Sequence, residues 1–312
     1  MVIVMKDLKV IFMGTPEFAV PVLEYLIQNT NVVLVVTQPD KEIGRDKKIG
    51  YSPIKKLALE NQIDVFQPLK IRKDFEIISE INPDIIITCA YGQIIPKSIL
   101  DIPKLGCINV HASLLPEYRG AAPMQWAILD GKSETGVTLM YMDEGMDTGD
   151  MIAKMTCQIL PEDTIGSLHD KLSLVGKNLL AQELPNIVAG TNQRVKQDDE
   201  KATYTKMIKR EDELLNFDDL GTNIINKIRA FSPWPLAYFK LNGNEIKIIK
   251  AHFESKQVED VGKVVFNKKN MGITCQDGLI ILERIKPFGK KEMDIMAYLN
   301  GIKKEEGLYV EK

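Results

Sequence analysis

The sequence predicts an open, mostly parallel α/β sheet of the doubly wound type, followed by a smaller β-barrel. Three observations predict it. Short runs of β-branched and apolar residues alternate with amphipathic stretches through the first half of the chain. That alternation lapses between Ala189 and Lys209 into Gly, Thr, Asn, Gln and charged residues. Beyond it, strand-like runs follow one another closely, two pairs of them joined by Asn242-Gly243 and Asp277-Gly278, dipeptides suited to hairpin turns.

The elements follow in order. Lys9 to Met13, Val32 to Thr37, Asp84 to Thr88, Cys107 to His111 and Val137 to Met142 are apolar enough to read as buried parallel strands. Phe18 to Gln28 follows Pro16 and reads as a helix. Ser52 to Asn61 opens with Ser-Pro, an N-cap followed by proline in the first turn. Asp74 to Ile81 stops before Asn82-Pro83, and Thr164 to Val188 reads as a long closing helix. Strands separated by helices require right-handed crossovers, which cover both sheet faces. The expected division is a first domain over 1–189, a linker over 190–209 and a second domain over 210–312. In the second, a helix over Leu220 to Phe231 precedes strands at Leu236 to Leu241, Glu245 to Phe253, Gly262 to Phe266, Gly272 to Cys275 and Leu279 to Lys286. That pattern fits a barrel of the oligonucleotide/oligosaccharide-binding type.

Composition narrows the function classes. The 312 residues, 45% hydrophobic and 27% charged, suit two globular domains with real cores rather than a disordered or membrane-embedded chain. A net charge of -3 excludes coating nucleic acid through bulk charge but leaves room for a local basic patch. The apolar start, Met1 to Val4, is interrupted by Lys6 and Asp7, so no signal peptide is expected. Cys89, Cys107, Cys157 and Cys275 are widely spaced and form no C-x-x-C pair, which points to reduced thiols and a cytoplasmic protein.

The turn Gly14-Thr15-Pro16-Glu17-Phe18 follows a strand and opens a helix, yet it lacks a G-x-G-x-x-G pattern and carries an acid that would repel phosphate. It reads as a tight turn at the edge of a site. Asn109 and His111 are more informative, because residues two apart on a strand share a face and can act on one atom. Asp147 lies in a Gly-bearing acidic loop directly after the next strand candidate and is therefore expected at the same sheet end. A metal site is the poorer use of this set, since no second His or Cys stands at ligand spacing; no metal is expected. Cys107 or Ser113 as nucleophile is also weaker, Cys107 lying two residues deeper in the strand. The option using all three is attack of an external nucleophile on a carbonyl. Asn109 and a protonated His111 donate to the developing oxyanion, and Asp147 orients His111 or takes a proton.

The stretch Asn109-Val110-His111-Ala112-Ser113-Leu114-Leu115-Pro116, with Asp147 downstream, resembles the active-site signature of the 10-formyltetrahydrofolate-dependent formyltransferase family. Phe12 to Ala19, Thr37 to Asp40, Gly44-Arg45, Arg119 to Pro123, Phe231 to Pro235 and Gly289 to Lys291 extend the likeness over essentially the whole chain, toward members acting on charged initiator tRNA. The resemblance implies a Rossmann-like formyltransferase domain, a linker and a C-terminal β-barrel that binds tRNA. It implies 10-formyltetrahydrofolate as formyl donor, methionyl initiator tRNA as acceptor, and a monomer that needs neither metal nor membrane. Asn109, His111 and Asp147 fall on the catalytic positions, and Ser113, Leu114, Leu115 and Pro116 on the folate-binding segment. Tyr91, Gly92, Gln93 and Ile94 can add apolar wall and backbone polar groups for a flat pterin ring, and a cis Leu115-Pro116 bond would shape that pocket.

The polar loop from Lys41 to Gly50 carries Lys41, Arg45, Lys47 and Lys48 against Glu42 and Asp46. Arg45, Lys47 and Lys48 are the candidate contacts to an acceptor stem, with Lys290 and Lys291 as backbone contacts from the second domain. Two other readings exist: the same chemistry on a sugar-nucleotide amine or water, and a catalytically silent RNA-binding module. The basic loop and the barrel disfavour the first, and the complete Asn, His and Asp set disfavours the second.

Overall fold

The computed structural model describes residues 5–43, 48–267, 269–302 and 307–311. The chain forms two compact units, one of Met1–Pro123, Glu134–Gln158 and His169–Thr205, the other of Met124–Ser133, Ile159–Leu168 and Lys206–Lys312.

The first unit is built on strands β1 (Lys9–Gly14), β2 (Asn31–Val36), β3 (Lys41–Ile43), β4 (Lys48–Gly50), β5 (Val65–Phe66), β6 (Ile85–Cys89), β7 (Cys107–His111), β8 (Arg119–Gly120), β9 (Glu134–Tyr141), β10 (Met151–Gln158) and β11 (Tyr204–Thr205). Seven of them form one sheet in the order β10-β9-β7-β6-β1-β2-β5. The run β7-β6-β1-β2-β5 is parallel throughout. Helices α1 (Val20–Asn29), α2 (Pro53–Glu60), α3 (Glu76–Ile81) and α4 (Lys97–Leu100) lie between its strands in sequence; of the next two, α5 (Pro123–Leu129) belongs to the second unit apart from Pro123, and α6 (Ile165–Ala189) belongs to the first from His169 onward. Ser52 caps α2 by accepting from the Lys55 amide at 3.1 Å. Asn82 stops α3 by turning into the left-handed region at φ +48°. All five residues of β6 are buried, as a strand with both faces covered requires.

Two expectations for this unit need correction. The strand over Val137 to Met142 is not parallel to its neighbour: β9 runs antiparallel to β7, with His111 opposite Thr138 and Ile108 opposite Tyr141. The loop after β9 therefore leaves from the amino end of β7, where the Met142 amide donates to the Cys107 carbonyl at 2.8 Å. The second concerns 190–205, read from composition as linker. It packs within the first unit, Val195 bridging to Met151 and β11 pairing in parallel with β8. Its backbone finds partners in the fold even though it lacks an apolar period.

The second unit contains α7 (Gly221–Ala230), β12 (Tyr238–Leu241), β13 (Asn244–Ser255), β14 (Val264–Phe266), β15 (Met271–Cys275), β16 (Gly278–Pro287), β17 (Met293–Asp294) and α8 (Ile295–Leu299). Its antiparallel sheet has the order β12-β13-β16-β15-β14, with β17 on β16. Segment 308–311 bridges both outer strands, Tyr309 to Lys263 and Glu311 to Lys240, so the sheet curls shut into a barrel. Phe217, Ile228, Phe231, Phe239 and Ile248 are among the side chains filling its core. Asn242 and Gly243 form the expected hairpin turn, both at positive φ. The other hairpin shifts by one residue: Gly278 pairs with Cys275, so Gln276 and Asp277 turn the chain. Gly278 is needed for close approach, since a Cβ there would lie 2.1 Å from the Glu254 carbonyl oxygen. Among the described residues, no helix is long and apolar enough to cross a membrane.

Candidate active site

Strand β7 sets the site's floor. Its apolar residues anchor it between β6 and β9, and alternation places Asn109 and His111 on one face. The Thr88 hydroxyl donates to Asn109 Oδ1 at 2.9 Å. With its oxygen so engaged, the amide turns Nδ2 toward Asp147 Oδ1, 3.5 Å away. His111 Nε2 stands 3.0 Å from the Tyr118 carbonyl oxygen. A carbonyl only accepts, so Nε2 carries a hydrogen and Nδ1 faces Asp147 Oδ2 at 3.7 Å.

Asp147 reaches this face from the wrong end of the sheet. Its loop leaves beyond the amino end of β7 and folds back over the strand, with Asp147 itself in the left-handed region at φ +54°. The Gly120 amide donates to Asp147 Oδ2 at 2.9 Å and secures the carboxylate. The three candidates do converge, although not by the shared sheet end that the sequence suggested. His111 is 8% exposed and Asp147 19%, so their mutual electrostatics are only weakly screened by water.

The segment after β7 is tightly pinned. The Ser113 hydroxyl donates to the Glu117 carbonyl at 2.7 Å, and the Thr138 hydroxyl donates to the Ser113 carbonyl at 2.7 Å. The Leu115 amide donates to Thr138 Oγ1 at 3.1 Å, and the Leu115 carbonyl accepts from the Lys154 ammonium, whose pKa burial draws downward. Leu115 packs fully buried against Met140 and Met151, its bond to Pro116 is cis, and Leu114 and Pro116 are half-buried.

On the neighbouring loop, Tyr91 sits in the core, where burial pushes its phenol up to about 12; its hydroxyl has no partner among the described residues. The Tyr91 carbonyl accepts from Gln38 Nε2 at 3.0 Å and from the Thr15 hydroxyl at 3.2 Å, which ties in the first Gly-containing turn. Gly92 follows at φ +86°. Gln93 braces residues 68–71: its Nε2 donates to the Pro68 carbonyl at 3.1 Å and its Oε1 accepts from the Ile71 amide at 2.9 Å. Ile94 is 85% exposed.

The basic candidates stand apart. Arg45 and Lys47 lie outside the described residues, and Lys48 belongs to β4, opposite Ile43 on β3. Lys290 and Lys291 are exposed in the second unit, Lys290 beside a cleft of about 310 Å³ with Phe288 and Pro287. The Cys107 thiol is pushed up to about 12 by burial, which removes it as a nucleophile. Sequence reading missed Thr88, Tyr118 and Gly120 as supports for the site. It also missed Gln197, which carries no charge or apolar signal within its polar stretch.

The family model for formyl transferase matches residues 8–184, and that for the formyl transferase C-terminal domain matches residues 207–303. The chain belongs to the formyl transferase family. Among its curated formyl transferase relatives, the methionyl-tRNA formyltransferase of Listeria innocua is 47% identical over 94% of this chain and 95% of that protein. That of Bacillus subtilis is 46% identical over 96% of each. An N-formyltransferase from Helicobacter canadensis, solved with folinic acid and dTDP-3-aminofucose, superposes with a TM-score of 0.67 at 24% identity, covering 89% of this chain and 100% of that one. This formyl transferase therefore shares the fold of a solved folate complex.

Proposed function

We propose that the protein transfers the formyl group of 10-formyltetrahydrofolate to the α-amine of methionyl initiator tRNA, giving N-formylmethionyl-tRNA. The observation that carries this reading is the convergence of Asn109, His111 and Asp147 on one face of β7, in a chain 47% identical to an enzyme named for that reaction.

The acceptor amine forms a bond to the formyl carbon, the bond from that carbon to N10 breaks, and one proton passes in net from the amine to N10. The folate supplies an activated formyl carbon. Asn109 Nδ2 offers a hydrogen to the oxygen that gathers negative charge there. Because His111 already donates through Nε2 to Tyr118, it presents a second hydrogen from Nδ1 only as the imidazolium. Asp147, an acceptor in its ionised form, lies where it can orient that ring and take the amine's proton, directly or through water.

The loop over 90–94 suits a flat heteroaromatic ring because Ile94 leaves apolar surface open to solvent. Tyr91, Gly92, Gln93 and Ile94 would hold the folate together with the segment from Ser113 to Pro116. Arg45, Lys47 and Lys48 of the polar stretch over 41–50 would meet acceptor-stem phosphates, and Lys290 and Lys291 would add backbone contacts.

A formylation assay offers 10-formyltetrahydrofolate with methionyl initiator tRNA, methionyl elongator tRNA or a dTDP-linked amino sugar. Product on the initiator alone is expected. Product on the sugar alone overturns the reading.

A further inference from the structure

The stretch 190–205 has no part in the reaction described so far, yet it holds Gln197, a 5% exposed amide with every hydrogen-bonding group committed. Gln197 Nε2 donates to the Asp147 carbonyl and to the Gly149 carbonyl, each at 2.8 Å. Its Oε1 accepts from Arg119 Nε at 3.0 Å. Arg119, 1% exposed, is held in turn by the Tyr204 hydroxyl at 2.9 Å and Asp199 Oδ1 at 2.8 Å. A buried guanidinium needs such partners to offset the loss of hydration. The next residue, Gly120, donates its amide to the Asp147 carboxylate. One short strand thus controls Asp147 twice, at the carboxylate through its backbone and at the main chain through Arg119 and Gln197.

We propose that Gln197, backed by Arg119, is a positioning residue for formyl transfer. It fixes the peptide units after Asp147 and Gly149, holds the loop in its left-handed turn, and so aims the carboxylate at His111. The proposal rests on the reading of Asp147 as catalytic. The task calls for an amide: two carbonyls demand two hydrogens, and the guanidinium demands an acceptor, so neither a carboxylate nor an ammonium serves all three. Being buried, Gln197 acts through Asp147 rather than on either substrate, and its effect belongs in kcat.

The test compares Gln197→Glu with wild type, using the full chain, 10-formyltetrahydrofolate and methionyl initiator tRNA. Glutamate keeps the length and gives Arg119 a carboxylate, but cannot hold the two carbonyls when ionised. Gln197→Met, of similar volume, serves if the glutamate variant does not fold. The expected result is a kcat about 10- to 100-fold lower, from a small misplacement of the carboxylate, with both KM values within about threefold. In an Asp147→Asn background the same change should cost less than about twofold, because the group it aims is already gone. Wild-type kcat in a folded Gln197 variant, with Asp147→Asn crippled, overturns the positioning role alone. So does full additivity of the two substitutions. Wild-type kcat in Asp147→Asn itself overturns the catalytic reading, and this proposal with it.

Discussion

The amide of Gly120 donates to Asp147 Oδ2 at 2.9 Å, across 27 positions of sequence, and turns a carboxylate from a return loop toward the imidazole of His111. Gly120 sits at φ +102°, and a Cβ there would lie 2.6 Å from the Thr205 carbonyl oxygen. Gly120→Ala should strain the backbone by about 2 kcal/mol and displace the donor from Asp147. We expect a lower midpoint in urea unfolding together with a kcat at least tenfold lower, of the order that a small misplacement costs. An alanine variant with wild-type turnover would show that this bond does not matter to the reaction.

On the proposed mechanism Asn109→Ala removes the hydrogen meant for the developing oxyanion, and the expected loss is roughly 100-fold in kcat. His111→Ala should cost a similar factor, about 100-fold or more. Thermal unfolding of both variants should stay near wild type, since neither side chain belongs to the apolar core. Single-turnover formylation separates the chemical step from substrate binding; unchanged rates in either variant would remove that residue from the mechanism.

The thiol of Cys107 is driven up to about 12 by burial and that of Cys89 is driven up as well, so both stay protonated at neutral pH. Neither should react with iodoacetamide in the native protein, and alkylation of the half-exposed Cys157 should leave formylation intact. Mass mapping after brief labelling checks the pattern.

Asp40 has a carboxyl held below its ordinary range by the Lys55 ammonium and the Gln67 amide that bond to it. A depressed folded-state pKa contributes stability above the unfolded value, about 3.9, that is lost as pH falls through the folded one. Chemical unfolding of wild type and Asp40→Asn, repeated from pH 7 to pH 3, should show the gap between them closing in acid. A gap that stays constant would mean that the carboxylate's charge plays no part.

Local features of the sequence were legible where they coincide with local physics. Period-two alternation put Asn109 and His111 on one face, Ser52-Pro53 marked a helix start, and Asn242-Gly243 marked a hairpin turn. The direction of β9 was not legible, because buried apolar runs look the same whether parallel or antiparallel. Strand β10 was missed because its outer half alternates half-buried with exposed residues at the sheet edge. The role of 190–205 was hidden for another reason: it is held by hydrogen bonds that Gln197 and Thr205 donate and Thr203 accepts rather than by apolar burial, and hydropathy does not register those.

Segment 308–311 is bonded to both outer strands of the second unit, the Val264 amide donating to the Leu308 carbonyl at 2.8 Å and the Glu311 amide to the Lys240 carbonyl at 3.0 Å. A cut ahead of Leu308 would strip two rims at once and leave each with unsatisfied donors and acceptors. Such rims recruit the same rims on other molecules. Carboxypeptidase trimming or a misplaced fusion junction there is therefore a route to insoluble protein, even where the first unit folds as before.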